Sequence, residues 1–262
     1  MNGPHTALAN PVFRQLVSRA VRSDYLQNLT GFAWLILQPL LLLAVYAFVF
    51  TTIFKARLPD AGAIGFVPFL AVAFWPWTAF SDAVLRAAGA VTANAALIGK
   101  VAFPSELLPL SAVAATFVMN MIGYLAVLLG LQLLGTPVVW SGLLAAVPVL
   151  ALLCLFAGAI GLFASALQVF VRDLAQILPP LMTFWFFTTP ILYSDESLPD
   201  GLAAVMRYNP MAWFAGRLRD FLLFGDFSLG LADLLMALAI LLLFSLALAF
   251  FRRLSAHFED FL

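Results

Sequence analysis

Residues 107–171 read LLPLSAVAATFVMNMIGYLAVLLGLQLLGTPVVWSGLLAAVPVLALLCLFAGAIGLFASALQVFV, 65 residues without an Asp, Glu, Lys or Arg. A helix that crosses a bilayer needs about 20 apolar residues, so this run is too long for one crossing. Gly135-Thr136-Pro137 breaks it near its middle, and glycine next to proline is turn chemistry. The stretch therefore reads as two membrane spans joined by a short turn. Working outward, further charge-free gaps run over 25–54, 61–81, 174–194 and 234–251, the last being the shortest at 18 residues. Each is long enough to cross, which predicts six spans, over about 31–54, 65–85, 107–134, 143–168, 174–193 and 229–251.

Composition agrees. Of 262 residues, 64% are hydrophobic and 10% charged, against roughly half and a quarter in soluble domains. The 13 Lys+Arg balance 13 Asp+Glu, so the basic footprint of a nucleic-acid binder is missing and nucleic acid is excluded as a partner. The single cysteine, Cys154, rules out an intrachain disulfide framework and a cysteine metal cluster. The first residues, MNGPHTALANPVFRQ, have no apolar core behind a basic start and are not read as a cleavable signal peptide. The fold class expected is an all-α polytopic membrane protein. Residues 1–30 form a cytoplasmic tail with an amphipathic helix, and 31–262 form a single six-span domain.

That helix starts at Asn10-Pro11, an N-cap followed by proline at the first helical position. Phe13, Leu16, Val17, Ala20 and Val21 share one face, while Arg14, Arg19 and Arg22 lie on the other. Such a helix is too polar to span and is expected along the membrane surface, its arginines near anionic head groups. Six spans put both termini on one side. With that side cytoplasmic, it holds Arg14, Arg19, Arg22, Arg86, Lys100, Arg172, Arg252 and Arg253 against Lys55, Arg57, Arg207, Arg217 and Arg219 outside, which favours cytoplasmic termini.

Two connecting segments are too long to be turns. Residues 86–106 extend the second span as a helix into the cytoplasm and end in an elbow from Gly99 to Pro104. Residues 194–228 contain Asn209-Pro210 and then MAWFAGRLRDFLLFG, an apolar stretch of about fifteen residues before Gly225. It is too short to cross and too apolar for water, so a re-entrant or interfacial helix is expected. Arg217, Arg219 and Asp220 would then lie near the interface, where an arginine–carboxylate pair holds this lid or meets lipid phosphates.

No HExxH, GxSxG or P-loop sequence occurs: Gly99-Lys100 lacks the upstream glycine and is followed by Val101. An enzyme is disfavoured, and no cofactor is expected in this chain. Span centres free of charge disfavour an ion-coupled carrier, although sodium sites built from carbonyls and hydroxyls keep that alternative open. What stands out is 26 Phe in an aromatic content of 14%. Tryptophan and tyrosine at span ends ordinarily form an interfacial belt, and mid-span phenylalanine ordinarily packs against lipid or core. Aromatic faces also stack on sugar rings, so Tyr46, Phe50, Phe74, Trp77 and Phe187 are the candidate channel-lining residues.

Four stretches carry a resemblance: Leu16–Phe54, LVSRAVRSDYLQNLTGFAWLILQPLLLLAVYAFVFTTIF; Asn94–Leu110, NAALIGKVAFPSELLPL; Val171–Tyr193, VRDLAQILPPLMTFWFFTTPILY; and Tyr208–Gly225, YNPMAWFAGRLRDFLLFG. In this order they resemble the permease subunit of ABC-type polysaccharide exporters, the family that moves O-antigen, capsule and teichoic-acid chains across the bacterial inner membrane. Gln27-Asn28-Leu29-Thr30 departs from that pattern, being less basic and less serine-rich than the family's usual entry to the first span. The resemblance implies a multi-pass permease for a lipid-linked polysaccharide that pairs with a second copy of itself. Two copies of a separate P-loop ATPase, carrying ATP and magnesium, would dock from the cytoplasm. A permease for a drug or a lipid is the runner-up. Work from such an ATPase must enter through a cytoplasmic contact, for which the elbow residues Gly99, Lys100, Phe103, Pro104 and Glu106 are the candidates, with the N-terminal helix next in line.

Overall fold

The computed structural model describes residues 11–21, 29–53, 64–98, 103–194, 201, 206 and 208–261. Arg22 of the amphipathic helix, Gln27 and Asn28, Gly99 and Lys100 of the elbow, and the tail 1–10 lie outside the described residues. Within them the chain is helical, with no strand among the described residues: α1 (Pro11–Val21), α2 (Leu29–Phe48, continued by a π-helical turn, Val49–Ile53), α3 (Phe66–Ala93), α4 (Leu107–Leu133), α5 (Gly142–Phe170), α6 (Leu174–Phe187), α7 (Pro210–Arg219, continued by a π-helical turn, Asp220–Phe224) and α8 (Leu231–Ser255). Four of these, α3, α4, α5 and α8, are long and apolar enough to cross a membrane, while the apolar stretches Leu37–Ile53 and Leu174–Phe187 are shorter.

The largest difference from the sequence reading is the fifth expected span, 174–193, whose helix stops at Phe187. Thr188 and Thr189 turn their hydroxyls back onto the Trp185 carbonyl, at 3.0 and 2.8 Å. Pro190 follows and has no N–H to continue the ladder. The turn within 107–171 falls where expected. Gly135 takes φ 91°, a left-handed value that costs glycine little, and Gln132 Oε1 accepts the Val138 N–H at 3.0 Å.

α3 is the axis of the bundle, with Leu70, Val72, Trp75, Ala79, Phe80, Ala83, Val84 and Ala87 wholly inaccessible. α4 runs antiparallel to it, tied by Trp75 Nε1 to the Asn120 carbonyl and by the Tyr124 hydroxyl to the Val72 carbonyl, each at 2.9 Å. The second bond has a reason in the sequence. Pro76 has no N–H to give to the carbonyl four residues before it, and Tyr124 supplies the missing donor. α5 lies parallel to α3 and close to it: a Cβ on Gly161 would come within 2.6 Å of Ala87 Cβ. α8 is parallel to α5, with Phe163 against Phe250 and Phe170 against Phe258. One end of the bundle therefore gathers Phe66, Leu133, Gly142 and Leu231, and the other gathers Ala93, Leu107, Phe170 and Ser255. α1 packs on α4, burying Phe13 and leaving Arg14 and Arg19 exposed, as its two faces predict.

Candidate functional site

Between α2, α3 and α6 the surface opens into a groove of about 240 Å³. Tyr46, Phe74, Trp77 and Phe187 line it, together with Phe186, Thr78, Ser81 and Thr183 and, among the described residues, with no charged side chain. Four of the five aromatic residues singled out from the sequence thus share one wall. The fifth, Phe50, lies outside it and stacks on Phe66 with ring centroids 5.5 Å apart. The groove is organised around Phe186. Tyr46 stacks on that ring at 5.7 Å, and Phe74 and Trp77 meet it at 5.9 and 5.7 Å. Phe74 and Trp77 are buried, whereas Phe187 is 52% exposed. Helical periodicity places these residues: 74, 77, 78 and 81 follow the i, i+3, i+4, i+7 stripe of α3, and α6 runs its own aromatic turn alongside.

The second region lies at the bundle end that holds Phe66 and Gly142. α7 begins with Asn209, whose Oδ1 accepts the Met211 N–H at 3.0 Å, and Pro210 follows at the first position. The same carboxamide takes the Trp185 indole N–H at 3.0 Å and donates to Thr189 Oγ1 at 2.9 Å, so the start of α7 is pinned to the end of α6. Phe214 meets Phe156, at 6.0 Å between centroids, about four turns into α5. A few residues later the Val139 N–H donates to the Leu222 carbonyl at 2.9 Å, beside the first turn of α5. The segment thus climbs from the middle of α5 to its beginning and ends at Gly225, φ 66°.

Arg217 and Arg219 do not act together, because residues two apart on a helix point to opposite sides. Arg219, expected to meet a carboxylate or lipid phosphates, is instead buried against carbonyls: its guanidinium donates to those of Phe69, Pro190 and Ile191 at 3.1, 2.8 and 3.0 Å and lies 3.4 Å from the centre of the Phe69 ring. It fastens α3, α7 and the chain after α6 to one another. Arg217 makes the expected arginine–carboxylate pair, but its main partner is Asp233 rather than Asp220. Nε and Nη2 reach the two Asp233 oxygens at 2.6 Å each, while Asp220 lies at 3.4 Å. Asp233 also accepts the Trp213 indole N–H at 2.9 Å and the Gly230 N–H at 2.7 Å, closing the first turn of α8. Burial pushes the Asp220 carboxyl up, opposed by Arg217. The Ser228 N–H holds that of Asp226 below the usual carboxylate range.

At the opposite end, Glu106 was expected to offer a charge to a partner. It is buried and paired within the chain to Arg252 of α8, at 2.8 Å, because the last turn of α8 comes down beside the first turn of α4. Phe103 is half-buried and Pro104 exposed. Among the described residues no group of His, Cys, Asp and Glu is placed to hold a metal ion.

A family model described as ABC-2 type transporter matches residues 11–223. The chain belongs to that family. It is similar to an O-antigen export system permease protein RfbA of Myxococcus xanthus, 34% identical over 199 residues, 75% of this chain and 74% of the relative. A protein of the same name from Klebsiella pneumoniae is 25% identical over 252 residues, 94% of this chain and 93% of the relative. The polysialic acid transport protein KpsM of Escherichia coli is 24% identical over 245 residues, 90% and 91% of the two chains. The chain is therefore an ABC-2 type membrane permease, homologous to permeases of O-antigen and polysaccharide export.

Several residues that shape this permease had no signal in its sequence. Asp233 stands as an ordinary charge at the head of the last span, and Arg252 as one more basic residue after it; both acquire meaning only from the residue opposite. Thr78, Ser81 and Thr183 could have been found, since each lies on the stripe of an aromatic already singled out. Pro76 announces an orphan carbonyl at Val72, yet nothing local names Tyr124 as its donor.

Proposed function

We propose that this permease exports a lipid-linked polysaccharide across the bacterial inner membrane, as one half of a homodimer driven by two copies of a separate ATPase that binds ATP and magnesium. The observation that carries the reading is the uncharged groove on which Tyr46, Phe74, Trp77 and Phe187 converge beside Thr78, Ser81 and Thr183. Sugar rings present C–H faces that pack on aromatic rings, and their hydroxyls exchange hydrogen bonds with side-chain hydroxyls. A wall without charges grips each ring briefly and traps none. At about 240 Å³ the groove is below the ~300–1,000 Å³ of clefts that enclose a whole ligand, which suits one wall of a conduit completed by a second copy. On this reading α2 with its π turn and α6 with the residues after it complete six spans, and both termini are cytoplasmic. The ascent of α7 from Phe156 to Gly142 supports a re-entrant segment capping the conduit. The elbow around Phe103 and Pro104, with Glu106 joining it to α8, is the contact for the ATPase.

The test is complementation of a deletion strain with variants of the two accessible ring residues. Tyr46→Ala and Phe187→Ala should lower surface polysaccharide and accumulate it inside the cell at normal membrane abundance, and Phe50→Ala should export as the parent does. Normal export by Tyr46→Ala and Phe187→Ala would refute the groove as the polymer path.

A further inference from the structure

A second cavity lies on the other flank of the permease, at the bundle end that holds Gly142 and Leu231. It is a crevice of about 190 Å³ between α5, the π turn after α7 and the start of α8. Its walls are apolar, built from Pro148, Val149 and Leu152 of α5 facing Phe227 and Leu229, while Arg217 and Asp233 close its head. Leu229 of its wall is exposed, and so are Leu144, Val147 and Leu234, which adjoin lining residues along the chain, an apolar surface of the kind that a bilayer covers. Along α5 its lining runs from Ala145 to Leu152, about 10 Å of helix, which fits within the ~15 Å of one leaflet's hydrocarbon.

The charge at its head is unbalanced. Of the charged groups only Arg217 and Asp233 line the crevice, paired to each other; just beyond the lining, Asp220 reaches Arg217 at 3.4 Å and Asp226 is close enough to act on both, so about this one guanidinium stand three carboxylates, a formal charge of −2 among the described residues. The Asp233 oxygens are taken up by Arg217, Trp213 and Gly230. Asp226 is exposed, with one oxygen on the Ser228 N–H, and Asp220 is about one-third exposed. An anionic head group would meet this excess of negative charge, whereas an ammonium would find acceptors there.

We propose that the crevice is a binding site for a zwitterionic phospholipid with a primary ammonium head group. One acyl chain lies along Pro148, Val149 and Leu152, the ammonium faces Asp226 and Asp220, and the phosphodiester lies beside Arg217. A primary ammonium has N–H donors for the carboxylates, and a quaternary ammonium has none. The lipid then fills the gap between α5 and α8 beneath the Arg217–Asp233 pair and supports the attachment of α7 to the last span. The site is apart from the groove, so its failure leaves the export reading untouched.

The test uses the full-length permease, delipidated in detergent and titrated with dioleoyl phosphatidylethanolamine, phosphatidylcholine or phosphatidylglycerol, read by native mass spectrometry and thermal unfolding. The ethanolamine lipid should be retained and raise the melting temperature, with the glycerol lipid about tenfold weaker, as expected for lost charge-assisted hydrogen bonds, and the choline lipid in between. Asp226→Asn should weaken the ethanolamine lipid about threefold, the scale of an exposed charge pair. Leu229→Asp changes a side chain that is 76% exposed, outside the packed core, and places a carboxylate on the acyl path; it should abolish retention. Equal binding of the three lipids, a preference for the glycerol lipid, undiminished binding by Leu229→Asp, or a crevice that retains no lipid because a second copy covers it would each overturn the proposal.

Discussion

Replacing Tyr124 by phenylalanine removes one oxygen from the centre of the bundle and almost no volume. That oxygen donates at 2.9 Å to the Val72 carbonyl, and both residues are buried, at 1% and 0% exposure. The helix cannot satisfy the carbonyl in its place, because its usual partner is residue 76, a proline without an N–H. An orphaned buried acceptor costs about 1–3 kcal/mol. Hydrogen bonds between membrane helices measure lower, averaging ~0.6 and reaching ~1.7 kcal/mol. Because this carbonyl has no alternative donor in its own helix, the upper part of the membrane range applies, a loss of about 1–2 kcal/mol, or about 2–6 °C in melting temperature. The decisive measurement is a double-mutant cycle by thermal unfolding in one detergent. Pro76→Ala restores the N–H, so in that background Tyr124→Phe should cost less than about 0.5 kcal/mol, a coupling of about 1 kcal/mol between two residues on different helices. If the two substitutions add, the hydroxyl is not there to replace the donor that proline removed, and the account of how α4 is registered on α3 is wrong.

Arg219→Ala leaves the carbonyls of Phe69, Pro190 and Ile191 without their buried donor and should cost about 3 kcal/mol or more, seen as lost membrane abundance. Arg219→Lys should recover little of it, since an ammonium cannot reproduce the planar fork. Asp233→Asn should destabilise the permease by about 1–3 kcal/mol, removing the charge from a pair exposed by only 18% and 11%. Asp220→Ala should change the melting temperature little, its contact being longer and more exposed. Glu106→Arg should lower the melting temperature by setting two cations together, and adding Arg252→Glu should restore it. Failure of the exchange would mean that the Glu106–Arg252 pair does not join the elbow to α8. In a Cys154→Ala background, single cysteines at Ser105 and Ser255 should be shielded from an impermeant maleimide in intact cells and those at Thr136 and Ser228 labelled. The reverse pattern would invert the orientation.

Composition and neighbours along the chain settle part of this architecture before any packing. Charge-free runs make the protein a bundle of apolar helices, Gly135 ends α4 because only a left-handed residue closes that turn, and Asn209-Pro210 starts α7 with a cap and a preset φ. The alternation of Phe13, Leu16 and Val17 with Arg14 and Arg19 fixes which face of α1 is buried. Periodicity likewise put Phe74 and Trp77 on one stripe of α3. Tertiary structure alone decided which charges meet. An arginine in a spanning chain must satisfy its guanidinium, but whether by carbonyls, as in Arg219, or by a carboxylate, as in Arg217, depends on which helix lies across from it. The same holds for Glu106, read as free for a partner and found committed to Arg252, 146 residues away. Local pattern fixes the face a side chain takes and the donors its own helix withholds. The partner on a neighbouring helix is set by three-dimensional packing, and no spacing along the chain records it.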